Sequence, residues 1–150
     1  MKRKQPQPQP SEPLDVAARA LRHRDRSRRQ VDERLARAGV EDDQRADALT
    51  ALERIGYVDD ARFAGQRASS LADRGYGDEA IRALLAADGI APDIAGEAVG
   101  ALRPEAERAA EIVASLGASP RTAARLARKG FGEDTVEAAA GAFAAGGSEA

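Results

Sequence analysis

The sequence predicts an all-α protein: three tandem three-helix repeats stacked into an elongated, curved, solenoid-like molecule. Three observations carry that prediction. Apolar residues recur at the three- and four-residue spacing of a helix face along most of the chain. Runs alternating apolar and polar residues, rich in Val, Ile and Thr, are absent, so no strand is expected. Leu35, Gly39, Val40, Leu49 and Leu52 return 50 positions later as Leu85, Gly89, Ile90, Val99 and Leu102. After 41 more positions they return as Leu126, Gly130, Phe131, Ala140 and Phe143. A unit too small to bury its own apolar face stacks on its neighbours.

Residues 1–13, with Lys2, Arg3 and Lys4 ahead of a Gln-Pro run, read as a disordered basic tail of polyproline character. The first repeat spans 14–56. Its opening helix shows Leu14, Ala17, Ala18 and Leu21 at helical spacing. Ser27 and Gln30 form a capping box for the second helix, whose stripe is Val31, Leu35 and Ala38 and whose stop is Gly39. A third helix, about Asp42 to Ile55, sets Ala48, Leu49, Leu52 and Ile55 on one face. The second repeat spans 57–102, with a fourth helix from about Asp60 to Ala72. The turn Gly75-Tyr76-Gly77 follows, and Asp78 is expected to cap a fifth helix with Ile81, Leu84 and Leu85 inward. Gly89 ends that helix, and Pro92 opens a sixth reaching Leu102. The third repeat, 103–143, begins at Pro104 and runs to about Leu116. Ser119-Pro120 then reads as an N-cap and first-position proline, Gly130 as a stop, and Glu133 to Phe143 as a ninth helix. Residues 144–150 are expected to fray. The third repeat has the thinnest core, because Thr122 stands where Val31 and Ile81 stand in the others.

Composition narrows the function. Of 150 residues, 43% are hydrophobic but only 3% aromatic, so the core must be aliphatic. There is no cysteine, which excludes disulfides, thiolate metal sites and a Cys nucleophile. No apolar run approaches a membrane span, so no membrane contact and a cytoplasmic location are expected. The only histidine, His23, sits among arginines at a helix end, and no glycine-rich phosphate loop is present. The pairs Asp42-Asp43 and Asp59-Asp60 fall at helix starts, where capping accounts for them. No catalytic residue, cofactor or metal site is expected.

The net charge of −2 conceals a segregation. Eight Arg face three acids between Val16 and Ala38, whereas seven acids face two Arg from Glu41 to Asp60. That pattern fits a dipolar surface able to orient a polyanion, or helices paired charge to charge.

The joint between the first two repeats is Gly56-Tyr57-Val58-Asp59-Asp60-Ala61-Arg62-Phe63-Ala64. Gly56 can take the left-handed conformation that closes a helix, and Tyr57 is expected to pack back on its last turn. Asp59 suits an N-cap, Asp60 the positive end of the next helix, and Phe63 the first anchor of its core. Arg62 is assigned to bracing the joint against Asp59 or Asp60, with contact to a partner as the alternative. These residues, together with Arg74-Gly75-Tyr76-Gly77 and the following Ile81, Leu85 and Gly89, resemble the signatures of the RecX family. The resemblance runs from about Ala17 to Phe143. It implies a helical-repeat regulator, mainly an inhibitor, of the bacterial RecA recombinase. Its partner would be the RecA filament on single-stranded DNA, with direct DNA contact open and a monomer expected.

The basic faces supply the candidate contacts. On the second helix, Arg29 and Arg37 lie opposite Val31 and Leu35, with Arg28 and Arg34 flanking. Arg67, Arg74 and Arg82 come from the second repeat. Arg121, Arg125 and Arg128, extended by Lys129, lie opposite Leu126 on the eighth helix. One basic ridge per repeat would suit a long anionic partner. Two other readings compete. One is a plain DNA-binding protein with a helix-turn-helix over Arg24 to Arg37, against which stands the isoelectric point of about 5.5. The other is a helical scaffold for peptides.

Overall fold

The computed structural model describes residues 12–146, with side chains through Gly141. The described residues form α1 (Pro13–Leu21), α2 (Arg28–Arg37), α3 (Asp42–Arg54), α4 (Asp60–Asp73), α5 (Asp78–Ala87), α6 (Pro92–Gly100), α7 (Glu105–Leu116), α8 (Pro120–Arg128) and α9 (Glu133–Gly146). No strand occurs among them. The expected tail over 1–13, apart from Glu12 and Pro13, and residues 147–150 lie outside the described residues.

The helix stops repeat one geometry. At Gly39, Gly89 and Gly130 the backbone turns left-handed, with φ of 83°, 90° and 85°. The N–H of the next residue then reaches back to the carbonyl five positions earlier: Val40 to Leu35, Ile90 to Leu85 and Phe131 to Leu126, at 3.0–3.1 Å. Each glycine N–H bonds the carbonyl three positions back, completing the Schellman pattern. Val40, Ile90 and Phe131 are all buried, so each stop also ties its turn to the core.

Two serines among the described residues cap helix starts from the N-cap position itself. Ser27 accepts from Gln30 N–H while the Gln30 side chain accepts from Ser27 N–H, and Ser27 is fully buried. Ser119 accepts from Thr122 N–H ahead of Pro120. At α5 the expected cap differs. Gly77 occupies the N-cap position, and Asp78 is the first helical residue.

The chain divides after Asp60 into two compact units. The first holds α1–α3 around Ala17, Val31, Leu35, Val40, Leu49, Leu52 and Val58. Within the second, Phe63, Ala68, Leu71, Ile81, Leu85, Ile90 and Val99 form one core, and a smaller one gathers Ala109, Leu126 and Phe131. Some expected core positions are exposed. Leu14 lies in the first turn of α1, where Ala17 and Ala20 are the buried residues. Ile55 follows the last residue of α3 and points out, and Tyr57 is 59% exposed. Tyr57 N–H makes the helix-ending bond to Leu52, but Val58 carries the apolar contact, because the turn aims the next side chain inward. Ala140 is exposed. α9 runs three residues past Phe143, consistent with the strong helix preference of Ala144 and Ala145.

Within the second unit the turn after α8 is locked to the start of α5. Gly77 N–H donates to Lys129 O at 2.8 Å, and Glu79 N–H to Gly130 O at 3.2 Å. One carboxylate fastens both ends: Glu105, first residue of α7, accepts from Asp78 N–H at 2.9 Å and from Gly132 N–H. Arg108, buried, donates to Arg103 O (3.0 Å), Tyr76 O (2.9 Å) and Asp78. A guanidinium is tolerated there because all three of its nitrogens are paired.

Candidate interaction surfaces

α8 separates its two faces cleanly. Thr122 and Leu126 are buried, whereas Arg121, Arg125 and Arg128 are exposed and form no ion pair with a described residue. The Thr122 hydroxyl donates to Gly117 O at 2.7 Å, which satisfies a polar group in a position that the other repeats fill with an aliphatic side chain. Arg125 and Arg128 lie in the last turn, where the helix dipole favours cations.

Arg125 also lines a hollow of about 320 Å³ with Arg74, Lys129, Glu111 and Leu116. Lys129 Nζ stands 4.1 Å from the Tyr76 ring centre and the Arg74 guanidinium 5.7 Å from it, so this half-buried ring carries two cations. Three expected basic contacts thus meet at one place, Arg125 and Lys129 from α8 and its C-cap and Arg74 from the turn after α4.

The remaining basic candidates are distributed differently. Arg28 pairs with Glu53, and Arg29 with Glu33 at 3.5 Å. Arg67 is half-buried and paired with Asp88 at 3.1 Å, in effect a brace. Arg82 is exposed on α5. Arg34 and Arg37 line a separate hollow in the first unit beside Arg19.

At the joint, Gly56 is left-handed (φ 80°) and Phe63 is buried in its core. Asp60 accepts the N–H of Arg28 at 2.8 Å, so this carboxylate caps α2. Glu105 does the same for α5 through Asp78 N–H. Arg62 is exposed in the first turn of α4. Gly75 is left-handed (φ 85°), and Tyr76 N–H bonds Leu71 O.

Reading the sequence missed Glu105, Arg108 and Asp78 as a linked set. One signal was available. Arg108 is the fourth residue of α7 as Phe63 is of α4, so a charge stands at an anchor position. Burial raises the Asp78 carboxyl above its ordinary value, and Arg108 pulls it back only in part.

Among the described residues no group of three His, Cys, Asp or Glu is placed to hold a metal ion. No helix among them is long and apolar enough to cross a membrane.

The class this defines is an all-α helical-repeat protein with basic surfaces. Comparison with known proteins specifies it further. Residues 59–99 match the family model for the second three-helix domain of RecX. Regulatory protein RecX of Chromohalobacter salexigens is 39% identical over 137 residues, covering 85% of this chain and 90% of that protein. That of Halorhodospira halophila is 33% identical over 138 residues, covering 85% and 86%. The crystal structure of RecX from Lactobacillus salivarius superposes with a TM-score of 0.77 at 18% identity, covering 90% of this chain and 96% of that one. The chain belongs to the RecX family.

Proposed function

We propose that this protein regulates a RecA recombinase by docking on its filament on single-stranded DNA, chiefly as an inhibitor. It has no reaction centre of its own. The observation that carries this reading is the face of α8, where Arg121, Arg125 and Arg128 stand exposed and uncompensated while the same helix is fully used on its other side. Membership of a family whose relatives are named regulatory proteins supports it. Three three-helix blocks would each contribute a modest contact, and linked contacts give an affinity none has alone. Docking of this kind would bias filament growth, disassembly and the ATP turnover coupled to them.

Strand exchange measured at substoichiometric protein is the test, with titration against preformed filaments and naked single-stranded DNA beside it. Inhibition and tighter binding to filaments are expected. Tighter binding to naked DNA would favour a plain DNA-binding protein, and indifference to both would favour a peptide scaffold.

A further inference from the structure

A hollow of about 550 Å³ lies in the first unit where α1 meets α2. Its lining is divided: Val16, Ala20 and Ala38 are apolar, while Arg19, Arg34 and Arg37 are cationic. Arg26 lies close by, its Nε donating to Ala20 O at 2.7 Å. Burial, and then the charges of Arg34, Arg24 and Arg37, hold the Arg26 guanidinium below its ordinary pKa. Arg19, Arg24, Arg34 and Arg37 form no ion pair with a described residue. Like charges gathered without partners cost folding free energy, and an anion would relieve that repulsion.

The lining discriminates between anions. None of its residues is aromatic, so it offers no platform for stacking bases. A phosphodiester strand would set sugar and phosphate against methyl groups. A peptide whose carboxylates flank an aliphatic side chain matches both parts, because guanidinium forks take carboxylates in two-point contact. We propose that this hollow docks an acidic peptide segment of a partner protein, with carboxylates on Arg19, Arg34 and Arg37 and an aliphatic side chain against Val16, Ala20 and Ala38. This rests on the docking role above only in that the partner is a protein.

The test uses the full chain and a fluorescent peptide of about twelve residues built from Glu and Leu, followed by anisotropy at low salt. An oligothymidylate of matched length and tripolyphosphate serve as competitors. Saturable peptide binding is expected, weakened roughly tenfold or more by Arg34→Ala with Arg37→Ala. Replacing the peptide's Leu by Ser should weaken it several-fold, whereas Arg54→Ala, exposed at the end of α3 and outside the hollow, should leave it unchanged. Tighter binding of oligothymidylate, equal binding of the Ser peptide, or indifference to the Arg34/Arg37 pair would each overturn the proposal. Should that pair unfold the chain, Arg19→Ala gives the same readout. Since no recombinase is present, failure here and failure of strand-exchange inhibition are independent results.

Discussion

Gly77 has no room for a side chain, because the carbonyl group of Gly130 and the amide of Phe131 fill the place where its Cβ would stand. Its φ of −83° is ordinary, so the demand for glycine comes from a close approach of two backbones and not from local conformation. At the same approach Gly77 N–H donates to Lys129 O at 2.8 Å.

Gly77→Ala should therefore destabilise the second unit by about 1–3 kcal/mol, the usual cost of overpacking a closed contact. Gly75→Ala makes the control, since its left-handed backbone is strained by any Cβ but opens on empty space. It should cost about 1 kcal/mol. Urea midpoints rank the two, and a Gly75 variant weaker than the Gly77 variant contradicts the close-approach account.

Glu105 holds two N–H groups belonging to different helix starts. Glu105→Ala leaves both without an acceptor and should cost about 2–3 kcal/mol, with Glu105→Gln nearer 1. Hydrogen exchange at Asp78 and Gly132 should rise together in the Ala variant. Exchange rising at one amide alone would break the link.

The raised carboxyl of Asp78 sets a pH dependence with a definite sign. The native state keeps that proton to higher pH than the unfolded chain does. Stability from this group is thus greatest on the acid side and falls as pH rises from the ordinary carboxylate value through the raised one. Asp78→Asn removes the titration, so the wild type should lose ground to the variant across that window. A constant difference in urea midpoint between the two would count against it.

Charge reversal of Arg121, Arg125 and Arg128 together should weaken filament binding roughly tenfold or more and flatten its salt dependence. All three side chains are exposed and outside the cores, so helix content should hold. Unchanged affinity would remove α8 from the binding face.

Helix positions, stops and two caps were legible in the sequence because they are local. A left-handed glycine followed by an apolar residue encodes its stop within six residues, and Ser27–Gln30 its start within four. The basic face of α8 was legible for the same reason, since residues three and four apart share a side of one helix. The recurrence of Leu35, Gly39 and Val40 carried the repeat without any knowledge of packing.

Tertiary structure decided what depends on distant segments meeting. Only folding set Gly77 against Gly130, joined Glu105 to two helix starts, and buried Arg108 among Tyr76, Arg103 and Asp78. It also separated arginines that look alike in sequence, tying Arg67 to Asp88 while leaving Arg34 and Arg37 beside Arg19. A side chain's helix face follows from its own neighbours, but whether its charge is matched depends on what arrives from elsewhere in the chain.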